Sequence, residues 1–206
     1  MRAEHLEILV EEPSMELFLR ELLPRLLREE ATFNVHPSQG KDDLLRNLPA
    51  RLRGYAAWLP ESWRVVVVLD QDDQECHDLK RVMEMTVTEA GLRSRTFDGG
   101  ANWQVVTRVA IEELEAWYFG DWEAVHEIYP RVPRTIPEKA PYRDPDKIRG
   151  GTWEAFERVL QKAGYFQSGL AKMEVARSVG SRMDVTRNRS HSFGVFRDAL
   201  LEAVQQ

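Results

Sequence analysis

The sequence predicts an α/β fold, a mostly parallel sheet flanked by helices and followed by a helical C-terminal region. Strand-like and helix-like segments alternate through the first half of the chain, the order that βαβ units produce. The run "RVVVVLD", residues 64–70, is apolar without alternation, as in a strand covered on both faces. From residue 152 onward the patterned stretches have helical spacing.

The elements follow in order. "HLEILVEE", residues 5–12, alternates, turns apolar and stops at Glu11 and Glu12, which reads as a first strand. Pro13 and Ser14 open an amphipathic helix, "PSMELFLRELLPRLLREE", with Leu17, Phe18, Leu22 and Leu26 on its buried face. "TFNVHP" is a short second strand closed by the turn "PSQGK"; "DDLLRNLPARLRGYAAWL" is a helix bent or broken at Pro49. After "RVVVVLD" a helix is expected from about Asp73 to Ala90, stopped by Gly91. "LRSRTF", residues 92–97, is a fourth strand candidate and "FDGGANW" a loop. From Val105 a strand leads into a helix through "LEAWYFGDWEAVHEIYP". "RVPRTIPEKAPYRDPDKIRGG", rich in proline and charge, is an extended connector. The expected organisation is an α/β domain over residues 1–125 with a helical, basic region, residues 126–206, packed on it.

Composition narrows the function classes. With 43% hydrophobic and 30% charged residues, the chain is globular rather than disordered. No apolar run approaches the ~18 residues that cross a bilayer, and the opening has acids where a signal peptide is apolar. A cytoplasmic protein with no membrane partner is therefore expected. The single cysteine, Cys76, rules out an intramolecular disulfide and reads as a packed residue at a helix start. Residues 1–130 hold 14 Lys and Arg against 25 Asp and Glu, a balance of −11; residues 131–206 hold 14 against 9, a balance of +5. The acidic part suits a cation and the basic part an anion.

Ligands of open α/β sheets gather outside the carboxyl ends of the strands. Glu11 and Glu12 end the first strand; Asp70, Asp72 and Asp73 end the most buried one. If the two strands are neighbours, carboxylates converge at one edge, where repulsion raises their pKa values unless a cation sits among them. Oxygen-only ligands suit Mg²⁺ or Mn²⁺. Glu11, Asp70 and Asp72 are the expected ligands, whereas Asp73 and Glu12 read as a helix cap or a solvated end. Lys41, Lys172, Arg187 and Arg189 are the candidate cations for a phosphate. In "RNRSHSF", Arg189 with Ser190 and Ser192 offers a donor cluster to a phosphate, and the competing reading is the N-cap of the last helix. His191 reads as an exposed loop residue, and His5, His36, His77 and His126 lie far apart without zinc spacing. The aromatics of "EAWYFGDW" have the spacing of core or interface residues, and "GK" at residues 40–41 lacks the rest of a phosphate-binding P-loop.

A strand ending in Glu, followed later by an apolar strand ending in Asp-x-Asp, resembles the TOPRIM fold of topoisomerases, bacterial primases and OLD-family nucleases. The motifs here are "ILVEE" with Glu11 and "VVVLDQD" with Asp70 and Asp72. A closer resemblance is to an uncharacterised bacterial family of TOPRIM-like proteins, through "ILVEEPSMELFL", Gly40 and Lys41, "ELEAWYFGD" and "NRSHSF". The resemblance implies a Mg²⁺- or Mn²⁺-dependent nuclease acting on DNA or RNA. Glu11 would serve as metal ligand or general acid/base, and Asp70 and Asp72 would hold the metal. Glu115 would complete the site, with Glu112 and Glu113 as competitors for that role. Lys41, Lys172, Arg189 and Ser190 would face the substrate. It also implies work beside a separate ATPase in bacterial defence, and is compatible with a homodimer. Many TOPRIM proteins have Gly after the glutamate, where this chain has Glu12, which adds negative charge beside a phosphate. That departure keeps two alternatives in view: a non-hydrolytic metal- and nucleotide-phosphate-binding or regulatory module, and a toxin-like chain held inactive by a partner.

Overall fold

The computed structural model describes residues 2–71, 76–98, 102–111 and 113–205. Four parallel strands form one sheet in the order β2 (Thr32–Pro37), β1 (His5–Val10), β3 (Trp63–Asp70), β4 (Val105–Ala110). The inner pair is the most apolar: all of β1 is buried, as is β3 from Arg64 onward, whereas β2 at one edge buries only Val35.

Alternate positions divide the sheet between two cores. Leu6, Ile8, Val10, Val66, Val68 and Val106 pack with α1 (Pro13–Leu27). Leu9, Val65, Val67, Leu69 and Val105 pack with α2 (Lys41–Trp58) and α3 (Cys76–Glu89). Both faces of β3 are covered, and that is why its valines need not alternate. Helix α1 carries the chain out from β1 to β2, and α2 brings it back past β1 to β3 on the opposite face. β1 and β3 therefore pair, Val10 beside Val68, where the strand order reverses. Sheets of this kind take their ligands in the crevice outside the carboxyl ends of the strands at such a reversal.

Four expectations change. Pro49 lies inside a continuous α2, whose buried Leu44, Leu48, Leu52 and Tyr55 outweigh the hydrogen bond that a proline removes. "LRSRTF" is not a strand: only Ser94 bridges Val105, and the next residues form α4 (Arg95–Asp98). The Ser94 hydroxyl accepts from the Thr96 amide at 3.0 Å and donates to Glu84, so a local cap wins over extension. The helix after β4 is two, α5 (Leu114–Gly120) and α6 (Trp122–Ile128), parted at Asp121. Its buried carboxylate accepts from Arg187 Nε at 2.6 Å and the Asp184 amide at 2.7 Å, which makes Arg187 a structural partner. Finally, His5 and His36 are not apart, because the parallel register sets both against the buried Glu7. Its carboxylate accepts from His5 Nε2 (2.9 Å), His36 Nε2 (2.5 Å), Asn34 Nδ2 (3.0 Å) and Tyr55 OH (3.0 Å).

The connector of residues 131–151 holds three 3-10 turns, Ile136–Glu138, Ala140–Tyr142 and Pro145–Lys147. Helices α7 (Thr152–Lys162), α8 (Lys172–Arg182) and α9 (His191–Gln205) then join the core that α1 shares with the sheet, α8 against α1 and α9 against α1 and β4. Trp117, Phe119 and Trp122 are core residues, as their spacing predicts. Among the described residues, no helix is long and apolar enough to cross a membrane.

Candidate active site at the carboxyl edge of the sheet

The two inner strands end side by side in acids. Glu11 follows β1, and its Oε2 accepts a hydrogen bond from the Asp70 amide at 3.2 Å. Asp70 closes β3 and is buried. The turn between β2 and α2 is bound to the same edge, with the Ser38 and Gly40 amides donating to the Val10 and Glu11 carbonyls. Gly40 has φ 100°, a conformation that admits the turn directly into α2. Lys41 is thereby set across the edge, and its Nζ donates to the Gln71 carbonyl at 3.0 Å.

Helix α5 approaches from the other side. Glu115, in its first turn, is buried, and burial pushes its carboxyl up to about 7; the Lys172 ammonium opposes this, while Glu113 and Glu12 add to it. Lys172 opens α8 with its Nζ 4.9 Å from the Trp153 ring centre. Burial alone would lower the Lys172 pKa, but Glu115, Glu12, Glu113 and Asp70 together hold it above the ordinary lysine range. Tyr118, one turn after Glu115, is almost fully buried, and its hydroxyl is pushed well upward by burial and by the charges of Glu115, Asp70 and Glu12. Asp70, Glu12, Glu115, Lys172 and Tyr118 thus form one group of interacting charges, on the edge that also holds Glu11 and Lys41.

Tyr118 escapes the sequence reading because it is one aromatic among several. Its signal is the three-residue spacing from Glu115, which sets both on one helix face. Glu113 accepts from Thr152 Oγ1 (2.9 Å) and the Trp153 amide (2.8 Å), capping α7, so Glu115 is the described acid of "EELEAW" left to the crevice. Glu12 accepts from the Ser14 hydroxyl and does not cap the α1 amides. Asp72, Asp73 and Glu112 lie outside the described residues.

The donor cluster read in "RNRSHSF" already holds an anion, and it is internal. Asp146 accepts from Ser190 Oγ (2.8 Å), Ser192 Oγ (2.9 Å) and the His191 amide (2.5 Å), while Ser190 Oγ accepts from the Phe193 amide at 3.1 Å. Ser190 is therefore the cap of α9, and its expected role on substrate is corrected. Arg189 is exposed; its amide donates to the Gly120 carbonyl, at the opposite end of α5 from Glu115.

The acids at this edge offer only carboxylate oxygens, the donor type a hard divalent cation takes, and a cation among them would favour the ionised form of Glu115. Among the described residues no group of three His, Cys, Asp or Glu already converges on one point. That is compatible with an ion held by one or two carboxylates and its own waters.

No curated protein and no solved structure matches the chain. A family model described as a domain of unknown function, DUF4276, spans residues 10–201, from the end of β1 into α9, and the chain belongs to that family.

Proposed function

We propose that the crevice between β1 and β3 is the active site of a Mg²⁺- or Mn²⁺-dependent phosphodiesterase acting on DNA or RNA, with TOPRIM-like chemistry. One observation carries the reading: at the strand-order reversal, Glu11 is hydrogen-bonded to the amide of Asp70, whose carboxylate interacts with Lys172 and Tyr118 beside Glu115. Asp70, Asp72 and Glu11 would hold the ion, joined by Glu115 when ionised. The bound ion would acidify a water and offset charge growing on the phosphate. Lys41 and Lys172 neutralise non-reacting phosphate oxygens. Tyr118 keeps its proton and remains a donor. Arg189 is left to the flanking backbone of a long substrate. The family resemblance supports a setting in bacterial defence, in the cytoplasm, beside a separate ATPase.

A second reading, a module that grips metal and nucleotide phosphate without hydrolysis, draws support from Lys172, a built-in countercharge among the acids. One assay separates the two. Supercoiled plasmid and tRNA are incubated with the protein in Mg²⁺ or Mn²⁺. Cleavage by the wild type that falls roughly a hundredfold or more in Asp70→Ala supports the enzyme. Metal binding with no turnover on any polymer supports the module.

A further inference from the structure

A second cavity, of about 300 Å³, lies beside β4 at the open edge of the sheet, between α3 and α9. Lys80, Arg108, His77 and His191 are among its polar lining, and Val109 and Val195 lie among its apolar residues. The charges around it do not balance. Lys80 pairs with Glu84 at 2.5 Å and Arg95 with Glu202 at 2.5 Å. Arg108 has no acidic partner within ion-pair distance among the described residues. Its Nε donates to the Val195 carbonyl at 3.2 Å and its Nη1 to the Thr107 carbonyl at 2.8 Å, while its buried Nη2 meets no acceptor. Arg108 is only 7% exposed. A buried guanidinium with an unused donor is costly unless an anion reaches it.

We infer that this cavity is a nucleotide-binding site, with the phosphate against Arg108 and the two imidazoles and the sugar or base against Val109 and Val195. Three features support that ligand. The volume is at the small end of ligand pockets, roughly 300 Å³ and upward. The unsatisfied donor belongs to a guanidinium, whose fork matches phosphate oxygens. The apolar walls fit a phosphate that carries an organic body better than inorganic phosphate alone. The choice of a nucleotide over another organic phosphate rests on the phosphodiesterase reading. On that reading, the pocket holds a nucleotide of the substrate flanking the scissile bond, because Arg108 lies two residues before Ala110, the register partner of Asp70.

The test is calorimetric titration of the full chain with adenosine 5′-monophosphate, a single-stranded DNA 12-mer and inorganic phosphate, in wild type, Arg108→Met and Val195→Trp. Binding of the mononucleotide or the 12-mer, about tenfold or more tighter than inorganic phosphate and lost in both variants, is expected. Val195→Trp fills the cavity and leaves Arg108 in place, so it remains informative if Arg108→Met fails to fold. Tight binding of the 12-mer with weak binding of the mononucleotide identifies a strand as the source; the reverse identifies a free nucleotide. Binding that is equal in wild type and Val195→Trp, or no binding by the wild type, overturns the proposal. Polymer cleavage by the wild type, with Asp70→Asn as its inactive control, separates this site from the crevice: nucleotide binding with no cleavage by the wild type keeps the pocket and removes the phosphodiesterase, whereas wild-type cleavage that Asp70→Asn loses, without nucleotide binding, does the opposite.

Discussion

Replacing Glu84 with alanine is expected to cost about 3–5 kcal/mol of stability, read as a fall in the urea midpoint at pH 7. Glu84 lies on α3, 1% exposed, where the helix meets β4 and α4. Its carboxylate accepts from Lys80 Nζ (2.5 Å), Thr107 Oγ1 (2.5 Å), Thr96 Oγ1 (2.8 Å) and the Ser94 hydroxyl. Alanine leaves an ammonium and three hydroxyls facing one another in a medium of low dielectric, the costly case for a buried pair. Adding Lys80→Met to the alanine variant removes the stranded charge and is expected to recover part of the loss. A loss below about 1 kcal/mol would show that water reaches the network. Burial alone would raise the Glu84 pKa, but Lys80, Ser94 and Thr107 hold it below the ordinary 4.5. A depressed folded pKa stabilises above the unfolded value, so this contribution is present above about pH 4.5 and is lost as the pH falls through the folded pKa.

Gly180→Val is expected to cost about 3 kcal/mol or more and to impair the crevice from a distance. Gly180 is where α8 meets α1, and a Cβ there would stand 2.6 Å from the Phe18 carbonyl oxygen and 3.1 Å from its Cα. Both are backbone atoms of α1, so relief requires the helices to part. The junction is also fastened by Arg25 of α1, which donates to the Met183 carbonyl at 2.8 Å and to the Gly180 carbonyl. Lys172 sits at the other end of the same helix, so a tilt of α8 would withdraw its ammonium from Glu115 and Asp70. The expected result is a lower melting temperature together with a loss of cleavage larger than the unfolded fraction accounts for. Gly180→Ala should give the smaller form of both effects, and a valine variant as stable as wild type would contradict the close packing.

How much of this was legible from residues depends on whether the determining contact is local. The valines of β3 and the acids that follow predict a central strand ending at a ligand edge, and β3 does lie between β1 and β4 with Asp70 at its end. Apart from Pro49, the failures share one cause, a polar side chain satisfied from outside its own element. Ser94 turns residues 92–97 from strand to helix because its hydroxyl, held by Glu84 on α3, accepts from the Thr96 amide. Asp121 splits a predicted helix because Arg187 and Asp184 come to it. Asp146 fills the donor cluster of "RSHS" from 44 residues away. His5 and His36 stand far apart in sequence, yet both come to Glu7, where Asn34 and Tyr55 also donate. Lys172 was legible only as a basic residue; its place among the acids depends on α8 crossing α1.

The central claim is that the acids at the ends of β1 and β3 receive a divalent cation, and the proton on Glu115 reports it directly. Its folded pKa of about 7 exceeds the ordinary 4.5, so the proton is held on folding and stability declines from about pH 4.5 to 7, levelling off above that. The measurement is the ¹³C titration of the Glu115 carboxyl in the metal-free protein and at saturating Mg²⁺, repeated in Asp70→Asn. The account predicts a midpoint near 7 without metal that moves clearly downward in Mg²⁺, and a much smaller movement in Asp70→Asn. A midpoint that Mg²⁺ leaves unmoved in the wild type would contradict it.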